Sequence, residues 1–380
     1  MKLSQQAVLA DVSLSHNAAT VRDADVRQSA ASPPRLPAAD ILRGLAALWV
    51  FLFHANAGHH VDGLARALPD TLSSALFSAG HLGVAVFFVL SGMVIAMSGE
   101  HCGDSLAQAG RFLGRRLVRL APPYYFSLLI VIAFLLLKKN VEGAASPLPA
   151  PGAIAAHLVF LQNILGIQSL NSVYWTLCIE VQFYFAFCAL MLLSHWLGRG
   201  RLAGHAWMTV MGAACAVAAL WPLKLADSGV WQASFFPTWH LFLLGVLLYH
   251  ARKRTRRAQA PYVVYLCLLA VAAGLSGDAF TLAGLATSMV LYGLSRWPMK
   301  SAWQHVRLLT HFGMISYSFY LLHNPITGAA FNIARRLAGS GVAAELAGLA
   351  LSLCLCVLAA GGMYALVERP AIRLGRLFRN

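Results

Sequence analysis

Apolar runs of membrane-spanning length follow one another from residue 38 to residue 367, parted by short polar stretches. They fall near 38–58, 77–98, 121–138, 176–195, 206–225, 232–250, 261–276, 279–295, 308–330 and 343–367. Most have the length that crosses a bilayer core, about 17–25 residues. The pattern predicts an all-α polytopic membrane protein with about ten transmembrane helices in one bundle. Some breaks are brief, such as the turn Ser276-Gly277-Asp278. The stretch 153–170 is also apolar, but its Gln162-Asn163 pair favours a helix lying at the interface or dipping into it. Residues 1–36 are polar and lack the apolar core of a secretory signal. They are read as a disordered cytoplasmic tail, with 37–370 the membrane domain and 371–380 a basic cytoplasmic tail.

Composition sharpens this picture. The 380 residues are 59% hydrophobic and only 11% charged, against about 25% charged in a soluble domain. The mean hydropathy is +0.65. A net charge of +15 raises the question of nucleic acid, but the basic residues sit in short runs between apolar segments, as cytoplasmic loops do. With the N-terminus inside, ten spans place 22 Lys and Arg on the cytoplasmic side and six outside. Both termini are therefore expected in the cytoplasm. Six of the seven cysteines lie in apolar stretches and none forms a Cys-x-x-Cys pair. They read as small core residues, and no metal site is expected.

Against this apolar background, ionisable residues inside the spans are costly and mark candidate function. Arg43 and His54 share the first run, Asp40-Ile-Leu-Arg43-Gly-Leu-Ala-Ala-Leu-Trp-Val-Phe-Leu-Phe-His54. Eleven helical steps return the two side chains to within roughly 20° of one face, about 16 Å apart along the axis. In the ten-span arrangement His54, Glu180 and His323 stand at similar depth below the outer ends of three different helices. A common pocket for the three is expected. The bland alternatives are a His323 that only hydrogen-bonds a neighbouring helix, and a Glu180 that pairs with Arg43. Pro325, two residues after His323, should free backbone carbonyls that then need partners.

Two further patterns stand out. In Arg115-Arg-Leu-Val-Arg119-Leu-Ala-Pro-Pro-Tyr124, Arg115 and Arg119 lie one turn apart with Arg116 beside them. Guanidinium forks match phosphate oxygens, so the cluster would suit an anionic nucleotide cofactor, lipid headgroups being the alternative. In Gly83-Val-Ala-Val-Phe-Phe-Val-Leu-Ser91-Gly92, the glycines allow close helix approach. Ser91 lacks the strand–turn–helix setting of a hydrolase nucleophile.

Taken in order, Arg43-x10-His54, Gly83-Val-x-x-Phe-Phe-x-Leu-Ser-Gly92, Arg115-Arg-x-x-Arg-x-x-Pro-x-Tyr124, Tyr174-Trp-Thr-Leu-x-x-Glu180 and Ser316-Tyr-x-x-Tyr-Leu-x-His323-x-Pro325 resemble the integral-membrane acyltransferase-3 family. The closing Glu368-Arg-Pro370 is similar to that family's C-terminal end. The resemblance covers roughly 38–375. It implies a bacterial inner-membrane enzyme that moves an acyl group, usually acetyl, from acyl-CoA to a hydroxyl of a carbohydrate or lipid-linked glycan, or of a macrolide-like molecule. It implies that His54 and Arg43 form the essential pair. It also implies that Arg115, Arg116 and Arg119, with Tyr124 in the same motif, contact coenzyme A, and that Glu180 is the motif acid. His323 joins the catalytic candidates through its own motif. Larger members carry an extra periplasmic hydrolase-like domain, which this chain is expected to lack.

Histidine is the natural base for such a reaction, since O-acylation must remove the hydroxyl proton as it attacks the thioester. A direct transfer and a transient acyl-histidine both remain open. Arg43 could face the cofactor or stabilise the oxyanion. Two rival classes are a proton-coupled transporter, which more often shows repeats and paired broken helices, and a non-catalytic export partner.

Overall fold

The computed structural model describes residues 37–142, 148–200, 204–253, 255–296 and 306–379. The expected tail 1–36 lies outside the described residues. The rest is helical: α1 Pro37–Ala57, α2 Asp62–Ala67, α3 Asp70–Leu76, α4 Gly83–Ser98, α5 Leu106–Glu142, α6 Pro151–Leu158, α7 Tyr174–Gly198, α8 Ala206–Ala218, α9 Ser228–Trp231, α10 Trp239–Ala251, α11 Arg256–Ser276, α12 Ala279–Arg296, α13 Arg307–Ala338, α14 Val342–Met363 and α15 Arg369–Gly375. Among the described residues there is no strand, and the protein is an all-α polytopic membrane protein. Six segments are long and apolar enough to cross a bilayer: Pro37–Ala57, Asp70–Ser98, Leu106–Asn140, Tyr174–Gly198, Arg256–Ser276 and Val342–Phe378.

Two of the expected spans are shorter as helices than their hydropathy implied. The run 206–225 is helical only to Ala218, and 232–250 only from Trp239. Each helix has 13 residues, or about 20 Å, less than the ~30 Å hydrocarbon core. Between them Pro222 and Pro237 remove backbone donors, and Asp227 Oδ1 caps α9 by accepting from Gly229 N at 2.8 Å. The stretch 153–170 forms the eight-residue α6 followed by turns, too short to cross. Gly277 ends α11 at φ 68°, the left-handed conformation that a short turn into α12 demands.

Helix α4 is apolar on every side and therefore belongs inside, as does α10. Their glycines interlock. A Cβ on Gly92 would lie 1.9 Å from the carbonyl oxygen of Phe242, and one on Gly245 would lie 2.1 Å from that of Val89. Close backbone approach of this kind is how membrane helices gain packing energy without a hydrophobic driving force between them. Helices α1 and α13 meet the same way, since a Cβ on Gly313 would sit 2.0 Å from the Asp40 carbonyl oxygen. Above that contact Ala47, Phe51, Ile315, Phe319, Cys356 and Ala360 form a buried cluster that ties in α14. Side chains such as Leu129, Val264, Leu275 and Leu358 remain exposed on the outside, as a lipid-facing surface requires.

The prolines leave a readable trace. Pro325 cannot donate to the Leu321 carbonyl four residues earlier. That oxygen is taken instead by Ser127 Oγ on α5 at 3.0 Å and by Asn171 Nδ2 at 3.3 Å. After α14 the chain makes one π-turn, Tyr364–Glu368, before α15, a local widening of the helix frequent at functional sites. The segment expected as a basic tail is helical through Arg379 and docks on α5, where Arg115 Nη1 donates to the Phe378 carbonyl at 2.9 Å.

Candidate functional site: an arginine cleft and a histidine pair

Five helices enclose a cleft of about 890 Å³, part of it open to the outside. Helix α1 contributes Arg43, α5 contributes Arg116 and Arg119, α7 contributes Glu180 and Tyr184, α4 contributes Ser91, and α13 contributes Tyr317 and Tyr320. Arg116 is fixed: its Nη2 donates to the Val94 carbonyl at 2.7 Å and to Ser98 Oγ, and its guanidinium lies 5.6 Å from the Phe112 ring centre. Arg43 and Arg119 differ. Neither makes a hydrogen bond or close ion pair among the described residues, although Arg43 lies within electrostatic reach of Arg119, Glu368, Asp40 and Glu180. Charges this deep among helices ordinarily find a partner.

The carboxylates are held to one side. Glu180 Oε1 accepts from Ser91 Oγ at 3.0 Å and from Tyr184 OH at 2.6 Å. Glu368 is 1% exposed, and its Oε2 accepts from Ser318 Oγ at 2.6 Å. Among its lining residues the cleft thus has three arginines and one carboxylate, Glu180, a balance that suits an anion.

The second centre lies further along α1 and α13. His54 Nδ1 stands 2.9 Å from the Val50 carbonyl and 3.3 Å from His323 Nε2. His323 is fully buried, its Nδ1 lies 2.9 Å from the Tyr320 carbonyl, and its ring stacks on Phe319 with centroids 6.0 Å apart. Tyr320 links the two centres. Its backbone holds His323, while its ring lines the cleft, packs 5.4 Å from Phe87, and carries a hydroxyl 3.0 Å from Thr176 Oγ1.

The expected common pocket of His54, Glu180 and His323 is therefore split. The two histidines meet, but Glu180 opens onto the arginine cleft. Arg43 joins Arg116 and Arg119 there and is separated from His54 by their spacing along α1. Arg115 does not line the cleft, because its guanidinium is engaged by the C-terminal segment. Tyr124, five residues past Arg119, is rotated about 140° away. It is fully buried among Phe160, Tyr125 and Tyr174. Glu368 was noted in the closing motif Glu368-Arg-Pro370 but not as a site residue, although an acid closing an apolar run was the available signal.

Fold and site together define a polytopic membrane protein that carries, in its interior, a pair of imidazoles and two arginines without a hydrogen-bond partner among the described residues. The chain belongs to the acyltransferase-3 family, whose model, described as an acyltransferase domain, matches residues 36–361. It is 27% identical over 382 residues to Acyltransferase MdmB of Streptomyces mycarofaciens, covering 90% of this chain and 94% of that protein. It is 29% identical over 166 residues to O-acetyltransferase OatA of Staphylococcus aureus (strain NCTC 8325 / PS 47), 41% of this chain and 24% of OatA. It is 28% identical over 176 residues to Regulator of hypoxia-inducible factor 1 of Caenorhabditis elegans, 42% of this chain and 35% of that protein. The matches thus span about a quarter of OatA and about a third of the worm protein. No solved structure matches the chain significantly.

Proposed function

We propose that this membrane acyltransferase uses acyl-CoA, with acetyl the expected group, to acylate a hydroxyl of a cell-surface or exopolysaccharide sugar. The observation that carries the reading is the convergence of Arg43, Arg116 and Arg119 on one cleft, with Arg43 and Arg119 lacking protein hydrogen-bond partners among the described residues. Coenzyme A bears several phosphates, and planar guanidinium groups bind phosphate oxygens in bidentate fashion. Its long flexible arm separates those phosphates from the thioester, matching a cleft and a histidine pair set apart on the same two helices. The charge bias counted on the ten-span arrangement supports an arginine cleft toward the cytoplasm, where acyl-CoA is made, with His54 toward the outer face.

In this mechanism His54 takes the proton of the acceptor hydroxyl as its oxygen attacks the thioester carbonyl. The new C–O bond forms, the C–S bond breaks, and the coenzyme A thiolate leaves and receives the proton from the His54 imidazolium. The products are the O-acyl ester and free coenzyme A. General base action of this kind contributes about 10²–10⁴-fold.

The test is the acetyl content of the host's surface polysaccharide, read by NMR in a deletion strain complemented with wild type or His54→Ala. Acetyl signal restored by wild type alone, with the variant present in the membrane, supports the reading. Equal restoration by both removes His54 from the chemistry, and no acetyl change in any strain points to another acceptor.

A further inference from the structure

The hydrogen bonds around the two imidazoles admit one arrangement of protons. A ring nitrogen 2.9 Å from a carbonyl oxygen must carry a hydrogen, since otherwise two lone pairs oppose each other. Tyr320 O imposes that condition on His323 Nδ1, and Val50 O imposes it on His54 Nδ1. In a neutral His323 the lone pair is then on Nε2, which lies 3.3 Å from His54 Nδ1. The His54 Nδ1–H is therefore shared between Val50 O and His323 Nε2, and all three contacts agree. Turning His54 into its other tautomer would set its bare Nδ1 against two acceptors at once.

We propose that His323 is a positioning residue that locks His54 as the Nδ1–H tautomer, so that Nε2 is the nitrogen that takes the acceptor's proton. The inference rests on the acyl-transfer reading above for its consequence, though not for its geometry. When Nε2 gains a proton, the Nδ1–H of the imidazolium already points at two acceptors, and no heavy atom has to move. Carboxylates hold the tautomer of a catalytic histidine in hydrolase triads; here a neutral imidazole fills that place without adding a charge to the membrane interior. His323 does not take the proton over. It is fully buried beside Phe51 and Phe319, and passing the proton on would leave a bare His54 Nδ1 against Val50 O.

The surroundings hold His323 in register. Ser127 and Asn171 occupy the carbonyl that Pro325 frees two residues before His323. Thr327 Oγ1 donates to the His323 carbonyl at 2.6 Å and itself accepts from Ser352 Oγ at 3.1 Å. Helices α5 and α14 and the turn that precedes α7 thus hold the backbone that carries the His323 ring.

The test uses the full-length protein in lipid nanodiscs with ¹⁵N-labelled histidine, reading the His54 tautomer by NMR beside transfer kinetics. Wild type is expected to show Nδ1 protonated and Nε2 bare. His323→Leu leaves Val50 O as the one acceptor holding His54 Nδ1–H, so it should raise the share of the other tautomer and lower kcat about 10- to 100-fold, the usual scale for losing a group that orients a functional histidine, with KM for both substrates little changed. His323→Gln places an amide oxygen near the position of Nε2 and should recover most of kcat and the wild-type tautomer. An Nε2–H tautomer in wild type overturns the proposal, as does a His323→Gln that is no better than His323→Leu while both keep the wild-type tautomer. A protein that shows the wrong tautomer yet transfers acyl groups refutes the pair alone. A protein that shows the expected tautomer without transferring refutes the acyl-transfer reading alone.

Discussion

Arg43 and His54 stand on the same helix, and both meet residues carried by α13, yet their surroundings are opposite in kind. In the cleft, Arg43 and Arg119 make no hydrogen bond among the described residues, and an open volume of about 890 Å³ lies before them. At the other centre both His323 nitrogens have partners, at 2.9 and 3.3 Å, and the ring is fully buried. Membrane interiors penalise unsatisfied polar groups, so cations left without protein partners mark a place where something else binds. An imidazole held through Nδ1 by a neighbour such as His323 suits proton transfer at its other nitrogen. Under the proposed function, the difference corresponds to binding at one end of α1 and proton transfer at the other.

The sharpest way to break that division is His54→Ala. It should lower kcat about 10²–10⁴-fold, the range of a lost general base, and leave KM for acyl-CoA nearly unchanged; a raised KM with kcat intact would place His54 on the binding side. Next in size, Arg119→Ala should weaken acyl-CoA use by roughly 10-fold or more, since a hydrogen bond to a charged group contributes about 1.5–3 kcal/mol. Arg115→Ala should do much less, because its guanidinium is engaged by Phe378 O. Kinetics with donor and acceptor varied separately would show this, and equal effects from both arginines would mean that the cleft is not the donor site.

Gly313→Ala tests what joins the two regions. Its Cβ would fall 2.0 Å from the Asp40 carbonyl oxygen, forcing α1 away from α13 at a cost of about 1–3 kcal/mol. Loss of thermal stability and of both donor binding and turnover is expected; a stable protein with one function intact would show that the regions are held independently. The smallest effect belongs at the periphery. The Glu100 carboxyl is held below its ordinary value, first by the Tyr249 hydroxyl at 2.7 Å and then by Lys253. A carboxylate depressed in this way adds stability above its unfolded value, and that stability is lost as pH falls through the folded value. Tyr249→Phe should flatten the acid limb of a stability–pH curve slightly and leave the transfer rate at neutral pH untouched.

Much of this arrangement was legible in the chain itself. Charged residues stand out against apolar runs, so Arg43, His54, Arg116, Arg119, Glu180 and His323 could be picked out by the cost of placing them in a membrane. Their partners could not. Depth along a helix follows from counting residues, but Glu180 and His54 at similar depth face different neighbours, because rotation and packing are set by contacts such as Gly313 against Asp40. The freed carbonyl at Leu321 was foreseeable from Pro325, whereas its partners, Ser127 on α5 and Asn171 in the turn before α7, come from distant parts of the chain. Hydropathy also failed across 219–238, where Trp221, Trp231, Phe235 and Phe236 keep the run apolar while Pro222 and Pro237 stop the helix. Glu368 was noted in the closing motif but given no site role, because it follows the last apolar run beside Arg369 and Pro370, and its burial follows from packing that the sequence does not show.

The most direct test of the division of labour is equilibrium binding of acetyl-CoA to the purified protein in nanodiscs, comparing wild type, His54→Ala and the double variant Arg43→Ala with Arg119→Ala. Binding by His54→Ala equal to wild type, together with its loss in the arginine variant, is the predicted result. Binding kept by the arginine variant and lost by His54→Ala would contradict it.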